Sequence, residues 1–172
     1  MRVNFSYGSV SSAGVTGEEV EMNKTAVVVG ISNYPDSTPT LAASVPEALR
    51  WESLLGDYGF TVVNHRFDSD ATRAQVIADI TALVAEAQSG DHIAFVYCGH
   101  GTVIEVTDPK GGSHLEEALY LFRGQGKKER ASLTSSDISN ILLLASLPAD
   151  VEFTIVADCC YSGGLAPTTD GG

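Results

Sequence analysis

Long apolar runs are missing from this 172-residue chain. None approaches the ~20 residues that a membrane span requires, and Met1-Arg-Val-Asn-Phe lacks the apolar centre of a secretory leader. The expectation is a cytoplasmic protein with no membrane partner. Basic residues are scarce as well. Ten Lys plus Arg stand against 22 Asp plus Glu, a net charge of -12. Such a surface repels nucleic acid phosphates and attracts a basic substrate, which argues against nucleic acid as a partner. Cysteine is rare and odd in number: Cys98, Cys159 and Cys160. All three sit at the ends of apolar runs and not at the spacings of a disulfide framework, which suits a reducing compartment. No repeat of about 20 to 50 residues and no Pro- or Ser-rich linker divides the chain. With 44% hydrophobic and 19% charged residues, it reads as one domain with a real core.

What is present centres on two apolar runs with reactive tips. Phe153-Thr-Ile-Val-Ala-Asp-Cys-Cys-Tyr-Ser-Gly-Gly164 is a β-branched run that stops at Asp158 and two thiols. His92-Ile-Ala-Phe-Val-Tyr-Cys-Gly-His-Gly101 has the same design around His100. In an open parallel sheet, residues just past the carboxyl ends of the strands gather in one crevice. A thiol and an imidazole would then face each other, and an imidazole can take a thiol proton to make the nucleophilic thiolate. Side chains alternate across a strand, so Cys159 and Cys160 cannot both face His100. Cys160, beside the glycine turn, has the better access.

Taken in order, residues 1–23 are expected to form an arm that adds a β-ribbon or packs on the body. Thr25–Ile31 reads as a central strand buried on both faces, and Val45–Asp57 as a helix that Gly59 ends. Phe60–Arg66 is a second strand. Asp70 or Thr72 caps a helix running to about Gln88, with Val76, Ile77, Ile80, Leu83, Val84 and Ala87 as its apolar stripe. After the His100 strand, residues 102–130 read as loop or hairpin with Ala118–Phe122 as the strand-like piece. Ser132 or Thr134 caps a helix carrying Ile138, Ile141, Leu142 and Ala145, which Pro148 ends, and the thiol strand follows. The order predicts an α/β fold, a three-layer α/β/α sandwich on a mainly parallel sheet with right-handed crossovers. The thiol strand is expected at a sheet edge with nothing left to cover it, and residues 168–172 as a flexible tail.

Tyr97-Cys-Gly-His-Gly101 followed by Asp158-Cys-Cys-Tyr-Ser-Gly163 resembles the caspase-like cysteine peptidases, and specifically the metacaspases, whose patterns are Y-S-G-H-G and D-S-C-H-S-G. The resemblance runs from about Thr25 to Gly164 and implies a caspase-like catalytic segment over residues 24–167. The caspase signature Q-A-C-x-G is absent, so the aspartate-cleaving branch fits less well. Carried over by position, Cys160 is the implied nucleophile and His100 the general base and acid. Cys159 and Cys98 stand where the family has serines, and Tyr161 where it has histidine. The backbone N–H groups of Gly101 and Cys160 are candidates for the oxyanion hole.

The resemblance also implies cleavage after Arg or Lys. Asp158, two residues before the nucleophile, and Glu47, in Val45-Pro-Glu-Ala48, are the matching carboxylates for a basic P1 side chain. Many metacaspases use calcium, but only Glu116, Glu117 and Asp137 stand near matching positions and Pro167 falls where an acid is expected. That set is thin for an ion that takes six to eight oxygens, so no metal site and no cofactor is assigned. Zinc on Cys98, His100, Cys159 and Cys160 lacks the ligand spacing of known sites. The basic run Lys127, Lys128 and Arg130 is a candidate for self-cleavage. The alternative to a cysteine endopeptidase is a non-catalytic caspase-like scaffold, or a large segment needing a separate p10-like small subunit for activity.

Overall fold

The structure is a computed structural model that describes residues 22–35, 37–107, 111–124, 130–163 and 165, together with the backbone of 2–6. Its elements run β1 (Arg2–Ser6), β2 (Lys24–Gly30), α1 (Ser44–Asp57), β3 (Thr61–Phe67), α2 (Arg73–Ala85), β4 (His92–Cys98), β5 (Gly101–Thr107), β6 (Ser113–Tyr120), β7 (Ser132–Thr134), α3 (Ser135–Ala145) and β8 (Glu152–Asp158). Five strands form the main sheet in the order β1-β8-β4-β2-β3, and β5-β6-β7 form a second. Strands β3, β2, β4 and β8 are mutually parallel.

Period-two alternation divides the core between the two faces of the main sheet. Val27, Val29, Phe95, Tyr97, Phe153 and Ile155 point to one face, where Val76 and Ile80 of α2 and Ile138 of α3 cover them. Val28, Val96, Cys98 and Val156 point to the other, beneath Ala48, Trp51 and Leu55 of α1. The result is three layers, with helices on both sides because β2 and β4 are apolar at nearly every position. Burial of this order, at roughly 25 cal/mol per Å² of apolar surface, is what holds the layers together.

The helix starts follow their caps. Thr72 accepts a hydrogen bond from Gln75 N–H at the head of α2. Thr134 Oγ1 accepts from Asp137 N–H at 3.2 Å, and the Asp137 carboxylate accepts from Thr134 N–H at 3.0 Å, a reciprocal box that fixes where α3 begins.

Two expectations need correction. The thiol strand β8 is not left bare, because Arg2–Ser6 pairs with it antiparallel from Arg2↔Val156 to Ser6↔Glu152. The arm thereby satisfies edge hydrogen bonds that would otherwise face solvent. Residues 102–130 hold more strand than Ala118–Phe122: β5 and β6 pair antiparallel from Gly101↔Leu119 to Thr107↔Ser113, and β7 adds to β6. Tail residues 168–172 lie outside the described residues.

Candidate active site

Register builds the site. Gly30 pairs with Cys98, and Cys98 with Asp158, so the carboxyl ends of β2, β4 and β8 meet at one rim. The chain past β4 turns back at Gly99 and His100 into β5, while the chain past β8 turns at Cys159–Tyr161. The two turns touch. A Cβ built on Gly101 would lie 1.6 Å from the carbonyl oxygen of Cys160 and 3.4 Å from Cys159 Sγ. Only glycine admits that approach. Tyr161 takes a left-handed conformation with φ 55°, which closes the turn right after Cys160.

His100 is held on both its backbone and its ring. Its N–H donates to Tyr34 Oη at 2.9 Å, and its carbonyl accepts from Tyr97 Oη at 2.8 Å. The Tyr34 ring lies 5.1 Å from the imidazole and stacks on Tyr120 at 5.5 Å. Ring atom Nε2 lies 2.7 Å from the carbonyl oxygen of Pro39. A carbonyl only accepts, so Nε2 carries the hydrogen, and in the neutral ring Nδ1 is the basic atom. Tyr34, Tyr97 and Pro39 had no place in the sequence reading of the dyad. Tyr97 belongs to the quoted motif, whereas a backbone carbonyl such as that of Pro39 leaves no trace in side-chain pattern.

The three thiols differ in environment. Cys98 is buried, Cys159 half-buried and Cys160 exposed. Burial pushes Cys98 up to about 12, with the negative charges of Asp158 and Glu47 adding to it. Burial likewise pushes Cys159 up to about 12, with Cys160 and Asp158 contributing. Both therefore stay protonated near neutral pH, and Cys159 packs against the α2/α3 face of the core. Cys160 is the one thiol of the three open to solvent at the rim.

Asp158 is exposed at the end of β8, and Glu47 is half-buried in the first turn of α1. Both carboxylates lie near enough to Cys98 for their negative charge to push its thiol up. Glu47 also pairs with Arg50 one turn along its own helix.

The acids considered for calcium are otherwise engaged. Glu116 accepts from Ser136 Oγ at 2.6 Å and lies 2.9 Å from His114 Nε2. Asp137 binds Arg73 and Arg130, each at 2.8 Å. Glu117 faces elsewhere, with Oε2 3.8 Å from a Cβ built on Gly163. Among the described residues no group of three or more His, Cys, Asp or Glu side chains could hold a metal ion. Pro167, Lys127 and Lys128 lie outside the described residues, and Arg130 is tied to Asp137 and Thr134. Among the described residues no helix is long and apolar enough to cross a membrane.

Comparison with known proteins decides the family. The model described as "Metacaspase, peptidase C14 domain" matches residues 24–168. The chain belongs to the metacaspase family. Similar relatives include Metacaspase-9 of Arabidopsis thaliana, 31% identical over 81% of this chain and 43% of its own length. Metacaspase-4 of the same plant is 29% identical over 84% of this chain and 34% of its own length. This metacaspase chain therefore spans well under half the length of these curated relatives. A crystal structure of a protein from Geobacter sulfurreducens matches with a TM-score of 0.63 at 25% identity, covering 81% of this chain and 52% of that one. The caspase-like arrangement of three layers on a largely parallel sheet is thus shared with a solved protein.

Proposed function

We propose that this chain is the catalytic segment of a cysteine endopeptidase that cleaves after Arg or Lys, with Cys160 as nucleophile and His100 as general base and acid. The observation that supports the reading is the contact of the two turns, in which Gly101, next to His100, lies against the backbone carbonyl of Cys160. Membership of the metacaspase family supports it.

In this mechanism Nδ1 of His100 accepts the proton of the Cys160 thiol, because Nε2 is committed to the Pro39 carbonyl. The thiolate attacks the carbonyl carbon of the scissile bond. The backbone N–H groups of Gly101 and Cys160 receive the developing oxyanion, where one donor contributes about 3 kcal/mol to the transition state. Collapse breaks the C–N bond, and His100 returns its proton to the leaving amine. Water, deprotonated by the same ring, then hydrolyses the thioester. A basic P1 side chain is held by Asp158 and Glu47, and Arg50 must leave Glu47 for that side chain to bind.

A second reading is favoured by one observation, the short span of this chain against its relatives. In that reading hydrolysis requires a p10-like small segment supplied separately, and these residues alone are a caspase-like scaffold.

The test is hydrolysis of an Arg-P1 peptide reporter. Cys160→Ala, with Cys159 retained, is expected to reduce it to background. Activity that survives in Cys160→Ala and disappears in Cys159→Ala would move the nucleophile to residue 159. A wild-type chain that is silent alone and active after a candidate small segment is added would select the second reading.

A further inference from the structure

The proposed peptidase site leaves a second concentration of chemistry unused. A cavity of about 80 Å³ lies between the start of α2 and the segment joining β6 to β7, lined by Thr72, Arg73, Phe122, Arg123, Arg130 and Ala131 among others. Three of the six arginines in a chain of net charge -12 meet there. We propose that this cavity binds a small oxyanion, a phosphate group or a carboxylate.

Donor capacity supports this. A guanidinium carries five N–H donors and no acceptor. Arg73 spends one on Ser132 O at 3.0 Å and one on Asp137 at 2.8 Å. Arg130 donates to Asp137 at 2.8 Å and to Thr134 Oγ1 at 3.3 Å. Arg123 is exposed and makes no hydrogen bond or ion pair among the described residues. Asp137 is the one carboxylate, among the described residues, that pairs with any of the three. Positive charge is thus in excess at this spot, on a molecule whose surface is otherwise acidic.

Part of the lining is tied by hydrogen bonds. Phe122 N–H donates to Ala71 O at 3.0 Å, and Leu121 N–H donates to Ala131 O at 3.0 Å. Together with the bond from Arg73 to Ser132, these ties join three sides of the cavity. The volume suits the ligand, since one water needs only about 10–15 Å³ of such space and a tetrahedral anion fills several times that. Helix α2 adds its partial positive end, with no acid in its first turn to offset it. Planar guanidinium forks match carboxylate and phosphate oxygens two at a time.

The test uses the full chain in low-salt buffer, titrated with inorganic phosphate, with succinate as the carboxylate arm and NaCl at matched ionic strength as the control. Thermal unfolding is expected to show a rise of about 5–10 °C at a hundredfold excess over Kd, continuing with the logarithm of anion concentration. The anion that raises the Tm beyond the NaCl control identifies the class. Arg123→Gln removes a side chain that is exposed and unpaired among the described residues, so the unliganded Tm stays within about 1 °C while the ligand shift disappears. Arginine side-chain N–H resonances of the unmutated chain answer the same question without a variant. Perturbation confined to Arg73, Arg123 and Arg130 supports the site. A rise no larger than the NaCl control gives, a shift unchanged in Arg123→Gln, or perturbation spread equally to Arg50 and Arg66 overturns it. The experiment does not depend on peptidase activity, so the two proposals fail separately.

Discussion

The ring of His100 is anchored through Nε2 to the carbonyl oxygen of Pro39, 2.7 Å away on a loop sixty-one residues earlier in the chain. That bond fixes the tautomer and leaves Nδ1 as the atom able to accept a thiol proton. Pro39→Gly frees the loop and weakens the anchor without removing the carbonyl. The expected outcome is a fall in kcat of about tenfold, the equivalent of one net hydrogen bond, with KM for an Arg-P1 reporter unchanged. An equal rise in KM would show that the loop binds substrate and does not position the ring.

Thiol reactivity provides a test that needs no substrate. Cys98 and Cys159 are each pushed up to about 12 by burial first and neighbouring negative charge second. Alkylation with iodoacetamide at pH 7, read by peptide mass, is expected to label Cys160 alone in the folded chain. In denaturant all three thiols should react. Early labelling of Cys159 in the folded state would contradict its packing against the α2/α3 face.

Residues that bury both faces of the sheet were legible in the sequence, and those that touch solvent were less so. Thr25–Ile31, His92–Cys98 and Phe153–Ala157 announce themselves as unbroken apolar runs because parallel central strands have no polar face. Strand β5 falls in a stretch that reads as loop or hairpin with only Ala118–Phe122 strand-like, although Thr102-Val-Ile-Glu-Val-Thr107 is rich in β-branched residues and Gly111-Gly112 offers a turn. Its burial alternates between half-buried and exposed, so no continuous apolar run marks it. The pairing of Arg2–Ser6 with β8 is a contact between chain ends, which local pattern does not encode. At the site, Cys160, His100 and Asp158 were visible as strand tips. Tyr34 and the Pro39 carbonyl were not, because their roles arise from loop geometry.

Tyr34 accepts the His100 N–H at 2.9 Å and lays its ring beside the imidazole. Burial raises its own ionisation range, so the hydroxyl stays neutral at working pH. Tyr34→Phe keeps the ring and removes the acceptor, leaving a partly buried donor unsatisfied at about 1–3 kcal/mol. A lower Tm and a reduced kcat are expected together. Loss of stability with full kcat would limit Tyr34 to a structural role.

Acid should loosen the loops around the rim before it unfolds the sheet. Burial alone would raise the Asp68 carboxyl, but hydrogen bonds from Asn33 and Ser32 outweigh it and hold it below the usual range. Asp137 behaves likewise, with burial opposed by Thr134 N–H, Arg73 and Arg130. A carboxyl depressed on folding contributes stability that is full above its unfolded pKa and is lost as pH falls through the lower folded value. Stability is therefore expected to be level near neutrality and to decline below about pH 4. Asp68→Asn, which keeps an oxygen for Ser32 and Asn33, should flatten that decline. An unchanged acid profile in the variant would remove Asp68 as a contributor.

The contact of Gly101 with Cys160 can be broken by one methyl group. A Cβ at residue 101 would sit 1.6 Å from a backbone oxygen, a position no rotamer change relieves, so either β5 or the thiol turn must move. Displacement of about 1 Å at a reacting centre costs about a hundredfold in rate. Gly101→Ala is expected to lose at least that much hydrolysis of an Arg-P1 reporter and to lower the Tm, since overpacking costs about 1–3 kcal/mol. Gly56→Ala is the matched control: nothing lies within 4 Å of its Cβ, and it sits in the last turn of α1. There the same methyl group should raise stability by up to about 1 kcal/mol and leave hydrolysis unchanged. Equal activity in both variants would mean that the two turns need not touch for catalysis, and the dyad would have to be drawn elsewhere.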